Sequence, residues 1–224
     1  MGTDPLGAVY SRYADAAQRP THEPVLLERH YLPPETAREV FALYREYHGP
    51  LSIFSDGRSY LDCTGMTLFQ DRHIQRHSTE ARQPDDGRTH VVRDLDEWMS
   101  RHAHEVEKFC MFFDSIEIAQ AALVRFRAFP GIEVVQGAPD NVEVTAAGVD
   151  KGTALLALAD RLGIPREATL AIGDSDNDRA MLARAGVAAV MANALPEIRA
   201  LGDIVSTRDN DHDGVAELFE RLGL

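Results

Sequence analysis

The sequence predicts an α/β protein in which an α+β unit with an antiparallel sheet precedes half of a doubly wound, Rossmann-like parallel sheet. Two observations predict this arrangement. From residue 151 onward, helical apolar stripes alternate with short apolar runs of strand length, the pattern of a parallel sheet. Before residue 146, short strand-like runs follow one another with turn residues between them, which is typical of antiparallel pairing.

Length and composition indicate a globular protein. The 224 residues are enough for one large domain or two small ones, and 44% hydrophobic with 26% charged residues is ordinary for such a chain. A net charge of −13 argues against nucleic acid and anionic membrane as partners. No apolar run is long enough to cross a bilayer, and residues 1–18 lack the apolar core of a signal peptide. We therefore expect a cytoplasmic protein.

The first unit is predicted element by element. Strands are expected at 25–31, 51–54, 60–63, 109–113, 132–135 and 142–144. Helices are expected at 35–47, 66–77 and 116–126, with a short one beginning at 95–99 and a loop at 83–87. The segment Ser-Asp-Gly-Arg at 55–58 is a hairpin signal. Cys63 and Cys110 lie in apolar runs and are predicted to be buried reduced thiols, with a disulfide left open.

The strongest functional signal is an acidic turn between a strand and a helix. Residues 169–178 read Thr-Leu-Ala-Ile-Gly-Asp-Ser-Asp-Asn-Asp, so that Asp174, Asp176 and Asp178 crowd the carboxyl end of a predicted strand. Ligands of open α/β sheets bind at these strand ends. Clustered carboxylates repel one another unless a cation lies among them, and Mg²⁺ prefers such oxygen ligands. The alternative is a solvated turn rich in Asp and Asn.

A lysine at the start of the preceding helix adds a second signal. Asp150 is a suitable N-cap, and Lys151 then falls in the first turn of a helix. A cation is disfavoured there by the helix dipole, but together with free backbone N–H groups it suits a bound anion such as phosphate. The alternative is an ordinary solvent-facing lysine.

These two motifs together resemble a known family. Gly-Val-Asp-Lys-Gly-Thr-Ala at 148–154, followed by Gly-Asp-Ser-Asp-Asn-Asp at 173–178, resembles the haloacid dehalogenase (HAD) superfamily of phosphatases. The resemblance is greatest to its Cof-type branch, which includes sugar-phosphate and sucrose-phosphate phosphatases. Val-Met-Ala-Asn-Ala at 190–194 and Asn-Asp-His-Asp-Gly-Val-Ala at 210–216 resemble later segments of that branch. The match is specific over 141–224 and topological over 24–140.

The resemblance implies a mechanism and a division into domains. It implies hydrolysis of a small phosphate ester, a phosphorylated metabolite, through an aspartyl-phosphate assisted by Mg²⁺. Lys151 would hold the phosphoryl group, Asn177 would bind phosphate, Asp174 would ligate Mg²⁺, and Asp178 would support the metal or orient Lys151. Residues 24–140 would form the substrate-specificity cap and 141–224 the C-terminal half of the core. Residues 1–23 would be a residual core segment or a loose tail.

The sequence departs from the family at the nucleophile. The family's Asp-x-Asp-Gly-Thr motif has no counterpart, and neither has the Ser or Thr of its second motif. Gly-Ala-Val-Tyr at 7–10 resembles the junction between core and cap, which leads us to expect a chain that lacks the first third of the enzyme and is inactive and poorly stable alone. Asp94-Leu-Asp96 with Ser115 is a rival registration, but Arg93 and the short spacing argue against it.

Two other classes of protein remain as alternatives. One is a non-catalytic module that binds a phosphorylated ligand or is completed by another chain. The other is a receiver-type phospho-aspartate switch, which is disfavoured because Lys151 precedes the acidic turn. His73 and His77 have metal-ligand spacing on a predicted helix, but no third ligand is evident, so we expect a solvated helix face.

Overall fold

The computed structural model describes residues 26–68 and 89–224, which form two sheets. The strands are Leu51–Ser55 (β1), Arg58–Asp62 (β2), Thr89–Val92 (β3), Lys108–Phe112 (β4), Ile132–Val135 (β5), Asn141–Ala146 (β6), Leu170–Gly173 (β7), Val187–Val190 (β8) and Ile204–Val205 (β9). The helices are Pro34–Tyr44 (α1), Leu95–His102 (α2), Ile116–Arg127 (α3), Lys151–Arg161 (α4), Arg179–Arg184 (α5), Pro196–Arg199 (α6) and Gly214–Leu222 (α7). Short 3-10 turns cover Ala103–Glu105, Arg166–Ala168 and Asp176–Asp178.

The first sheet has the strand order β3-β2-β1-β4-β6-β5. Its β1–β2 hairpin turns at Asp56 and Gly57, both with positive φ, as a two-residue hairpin turn of the right twist requires. The four neighbouring pairs β2–β1, β1–β4, β4–β6 and β6–β5 are antiparallel, as predicted. At one edge, β3 pairs with β2 in parallel and is a strand that the sequence pattern did not indicate.

Aromatic rings fill the core of this first unit. Helices α1 and α3 cover one face of the sheet, and the Tyr44 ring lies 4.3 Å from that of Phe126 and 5.7 Å from that of Phe109. All three residues are fully buried. The Tyr44 hydroxyl donates a hydrogen bond of 3.0 Å to the carbonyl of Val142, so the one polar atom of this ring is satisfied.

The second sheet is parallel and has the strand order β7-β8-β9. The elements from Lys151 onward follow the predicted order α-β-α-β-α-β-α. Small residues dominate the buried positions here: Ala171, Ala188 and Ala189 lie within the strands. Parallel strands have their carboxyl ends on one edge of the sheet, so the loops after β7, β8 and β9 lie side by side.

Two predictions about the first unit are corrected. No strand forms at residues 26–33, because β1 is already paired on both edges, by β2 and β4, and Leu32 N–H makes a single backbone bond to the Val106 carbonyl. The predicted boundary between 140 and 141 also moves. Strand β6 pairs with β4 and β5, so the first sheet extends to Ala146 and residues 147–150 lead to the second unit.

The structure argues against the alternative placement of the nucleophile motif at Asp94-Leu-Asp96 with Ser115. The Asp94 side chain accepts backbone hydrogen bonds from Asp96 and Glu97 and caps α2. Ser115 caps α3 in the same way, through Ile118 N–H. Both residues therefore have helix-capping roles within the first unit.

The cysteines behave differently from each other. Cys110 is buried and free, as predicted, whereas Cys63 is exposed and free. The prediction of burial was wrong for Cys63 because β2 ends at Asp62 and residues 63–68 are already helical. Predictions for 1–23, for 7–10, for 83–87, for His73 and His77, and for most of the helix at 66–77 lie outside the described residues. Within the described ranges, no helix is long and apolar enough to cross a membrane.

Candidate active site

The acidic loop, residues 174–178, leaves the carboxyl end of β7 and folds back on itself. The Oδ2 atom of Asp178 accepts hydrogen bonds from Asp174 N–H at 3.0 Å and Ser175 N–H at 3.3 Å. The Ser175 side chain and the Asp178 side chain form a reciprocal capping box for the turn Asp176–Asp178. Asp178 is buried, so these donors hold a carboxylate inside the loop and fix the loop's shape.

Lys151 reaches this loop from the start of α4. Its Nζ lies 2.6 Å from Asp178 Oδ1 and 3.3 Å from Asn177 Oδ1. Asp150 caps α4 by accepting from Thr153 N–H at 2.7 Å, as the sequence predicted. The Lys151 side chain remains half exposed, so its ammonium is paired and still accessible at the edge of the sheet.

A glycine lets α4 approach the loop closely enough for this contact. A Cβ on Gly152 would lie 2.4 Å from the carbonyl oxygen of Ala180 in α5, a distance that real Cβ atoms do not reach. Arg184 of α5 also pairs with the N-cap, at 3.1 Å from Asp150 Oδ2. Close contact between α4 and α5 therefore brings Lys151 to the acidic loop.

Asp174 is held by residues that follow the other two strands. Its Oδ2 accepts a hydrogen bond of 2.6 Å from Asn193 Nδ2, and Asn193 Oδ1 accepts one of 3.2 Å from Asn210 N–H. Asn193 follows β8 and Asn210 follows β9, so all three strand ends contribute. The motifs at 190–194 and 210–216 carried the signal for these residues, but only the tertiary structure shows what they contact.

Asp176 is separate from the other two acids. Its Oδ2 lies 2.7 Å from Arg127 at the end of α3, and its Oδ1 lies 3.0 Å from Arg179. The sequence led us to expect three carboxylates around one cation. The structure corrects this, because the 3-10 turn directs Asp176 away from Lys151 and two arginines neutralise its charge.

The donor set suits a single magnesium ion better at Asp174 than at Asp178. Mg²⁺ is commonly held by one or two carboxylates, with waters and phosphate oxygens in the remaining positions. Asp174 accepts the hydrogen bond from Asn193 through Oδ2. Both oxygens of Asp178 already accept from N–H donors or from Lys151, which fits the predicted role of orienting Lys151. In the described ranges, no group of three or more His, Cys, Asp or Glu side chains forms a ready metal cluster.

Glu217 of α7 fixes the turn that leads to Asn210. Its carboxylate accepts from Thr207 N–H and Arg208 N–H, each at 3.0 Å, and pairs with Arg221. The hydrogen bond from Thr207 N–H is the main cause that lowers the pKa of Glu217 below its ordinary value. An ionised Glu217 therefore stabilises the loop after β9, which in turn holds Asn193.

Comparison with known proteins shows the class to which this fold and site belong. A profile of haloacid dehalogenase-like hydrolases matches residues 20–219. The chain therefore belongs to the haloacid dehalogenase-like hydrolase family, and the resemblance predicted from its motifs is confirmed.

Two of the curated relatives from Bacillus subtilis are phosphatases. The 5-amino-6-(5-phospho-D-ribitylamino)uracil phosphatase YcsE is 35% identical over 114 residues, which cover 51% of this chain and 45% of that protein. The phosphatase YwpJ is 38% identical over 114 residues, which cover 51% of this chain and 39% of that protein. The matched part thus spans less than half the length of these relatives.

Solved structures share the fold. A haloacid dehalogenase-like hydrolase from B. subtilis superposes with a TM-score of 0.69 at 24% identity, covering 86% of this chain and 72% of that one. A HAD subclass IIB sugar phosphatase superposes with a TM-score of 0.66 at 21% identity, covering 87% and 68% of the two chains. At this level of identity the likeness establishes the fold, and the site's chemistry is argued from its own residues.

Proposed function

We propose that this chain provides the phosphate-binding and magnesium-binding part of a HAD phosphatase that acts on a small phosphate ester. The observation that carries the proposal is the meeting of Lys151 with Asp178 and Asn177 beside Asp174, at the carboxyl end of β7. The phosphatase relatives support the same reaction class. We also propose that its partner is a small phosphorylated metabolite and that the protein is located in the cytoplasm.

Each residue has a defined part in it. Lys151 offers an accessible ammonium that neutralises the charge of a phosphoryl group, and Asn177 offers a side-chain amide next to it. Asp178 is a positioning residue, because its carboxylate is fully used in holding Lys151 and the loop backbone. Asp174, oriented by Asn193, would hold the magnesium ion. The bound ion would supply positive charge to the phosphate oxygens and their reacting partner.

The attacking carboxylate is not among these residues. The family's nucleophile motif has no match in the 224 residues, and Asp94 and Asp96 lie on the first unit. Asp94 caps α2, and Asp96 is 3.2 Å from Arg45. We therefore expect these 224 residues to bind phosphate with magnesium but not to form the aspartyl-phosphate without a further carboxylate.

The chain offers a matched control for testing Lys151. Lysine occurs at only two positions in the sequence, Lys108 and Lys151. Lys108 lies on the first sheet, where it pairs with Glu143 at 3.1 Å. Isothermal titration of inorganic phosphate in the presence of MgCl₂ should show binding by the wild type and by Lys108→Met. Lys151→Met should bind about tenfold or more weakly, because a charge-assisted hydrogen bond is worth about 1.5–3 kcal/mol. Equal affinity of the Lys151 and Lys108 variants would contradict the proposed site.

A turnover assay separates the enzyme from the non-catalytic binding module. Phosphate binding without release of p-nitrophenol from p-nitrophenyl phosphate supports a site that needs a further carboxylate. Rapid magnesium-dependent release by the 224-residue chain, abolished in Asp174→Asn, would show that a nucleophile is already present and would overturn that part of the proposal.

A further inference from the structure

The first unit, which we call the cap, contacts the acidic loop at two consecutive residues. Arg127, the last residue of α3, lies 2.7 Å from Asp176 Oδ2. Asn177 N–H donates a hydrogen bond of 3.0 Å to the carbonyl of Gln136, which follows β5. A side-chain contact and a backbone contact thus connect the cap directly to the loop that bears Asn177, one of the proposed phosphate-binding residues.

The cap backbone also lies against the Asn177 side chain. A Cβ placed on Gly137 would be 2.8 Å from Asn177 Nδ2 and 3.1 Å from Glu143 Oε1. A side chain at residue 137 would therefore require the ends of the Asn177 and Glu143 side chains to shift. Asn177 is therefore bounded by the cap on its amide nitrogen and by Lys151 on its amide oxygen.

Asp176 links the two units through both of its oxygens. Arg127 binds Oδ2 from the cap, and Arg179 binds Oδ1 from α5 at 3.0 Å. The carboxylate is partly buried, with 23% of its side chain exposed, while the Arg127 side chain is 49% exposed. The ion pair is therefore screened by solvent, and its contribution is modest.

We propose that Arg127 is a positioning residue: by docking the cap on Asp176, it fixes the neighbouring Asn177 for the phosphoryl group. This inference rests on the proposed function for its ligand but on the contacts alone for its geometry. If the docked cap favours the loop conformation that binds phosphate, then bound phosphate favours cap docking to the same extent. The phosphate site and the cap would then be coupled through one exposed ion pair and one backbone hydrogen bond.

Helix α3 supplies a matched control two residues earlier. Arg125 makes a two-pronged ion pair, at 2.6 Å and 3.0 Å, with Glu46, which lies just after α1 within the cap. Arg127→Gln and Arg125→Gln remove the same charge from the same helix. Only the first removes a contact with the acidic loop, so a difference between the two variants isolates docking.

Hydrogen exchange of the Asn177 amide measures docking without any ligand. Its N–H donates to the Gln136 carbonyl of the cap, so it exchanges when the cap leaves the loop. Arg127→Gln should speed this exchange by about two- to fivefold, the range expected for an exposed ion pair, and Arg125→Gln should leave it unchanged. In wild type, 0.5 M NaCl should speed it toward the Arg127→Gln value, because salt screens exposed pairs.

Titration of inorganic phosphate with MgCl₂ then tests the coupling. Arg127→Gln should weaken phosphate binding by the same two- to fivefold factor, Arg127→Lys should restore part of it, and Arg125→Gln should match the wild type. Unchanged Asn177 exchange in Arg127→Gln would overturn the docking role. Faster exchange with unchanged phosphate affinity would overturn the coupling. A wild type that binds no phosphate refutes the proposed function and the coupling, while the exchange data still decide the docking.

Discussion

The cap and the C-terminal unit bury very different side chains. The cap core contains Phe109, Phe113 and Phe126 together with Tyr44, all fully buried. The strands of the C-terminal unit bury Ala171, Ala188, Ala189 and Val190. The cap core thus contains large aromatic rings, whereas the buried strand positions of the C-terminal unit carry small aliphatic side chains.

The difference in side-chain size follows from how closely the helices and strands of each unit approach one another. In the cap, two helices cover one face of a six-stranded sheet, and large rings fill the layer between them. In the C-terminal unit, short strands and helices approach closely, as the contact between Gly152 and Ala180 shows. This close approach allows Lys151 and the acidic loop to meet at hydrogen-bond distance. Among the described residues, the cap therefore contains most of the buried apolar side chains, and the C-terminal unit contains the proposed site residues.

The largest expected effect is on the stability of the cap. Phe109→Ala should lower the free energy of unfolding by about 3–5 kcal/mol, because it removes a fully buried ring from the aromatic core. Urea titration followed by the fluorescence of Trp98, the single tryptophan of the chain, reports this transition. Leu182→Ala, in the core of the C-terminal unit, should leave the Trp98 transition in place, since the two cores share no buried residue. Equal shifts from both variants would show that the units unfold as one.

An intermediate effect is expected where the loops of the C-terminal unit meet. Asn193→Ala should raise the dissociation constant of Mg²⁺ by about fivefold, the loss of roughly 1 kcal/mol from one hydrogen bond to the proposed ligand Asp174. Calorimetric titration with MgCl₂ measures it. Asn210→Ala is the control, because Asn210 holds Asn193 through its backbone N–H, which alanine retains. A fivefold loss of Mg²⁺ affinity in the Asn210 variant, or no loss in the Asn193 variant, would show that the side chain of Asn193 does not support metal binding through Asp174.

The last comparison distinguishes the two units by pH, and the expected losses of stability are absent near neutral pH. Hydrogen bonds lower the pKa of Glu217 in the folded C-terminal unit below 4.5, so the stability it contributes is present above pH 4.5 and is lost as the pH falls below that value. Burial raises the pKa of Cys110 in the cap from 9.0 to about 12, so stability there is lost as the pH rises from 9 toward 12. Urea titrations across this range should show an acid loss that is smaller in Glu217→Gln and an alkaline loss that is smaller in Cys110→Ala. Unaltered pH profiles in both variants would refute these assignments.

The sequence predicted the C-terminal unit better than the cap. From Lys151 onward, the alternation of helical apolar stripes with short apolar runs predicted the order of the α-helices and strands correctly. In the cap, β3 was missed because Thr89 and His90 break the apolar alternation. A strand was predicted at 25–31, but the described residues 26–31 form none, and both edges of β1 are already paired, by β2 and β4. Whether a short apolar run becomes a strand depends on a partner, which local sequence does not contain.

The candidate site divides in the same way. The motifs at 148–154 and 173–178, through their resemblance to the HAD family, singled out Lys151, Asp174, Asn177 and Asp178. Only the tertiary structure decided that Asp178 holds Lys151, that Asp176 faces Arg127 of the cap, and that Asn193 holds Asp174. The reason is physical. The place of a residue in a helix or strand is largely set by its neighbours along the chain. The partners of these charged side chains are instead brought near them from 19 to 49 residues away.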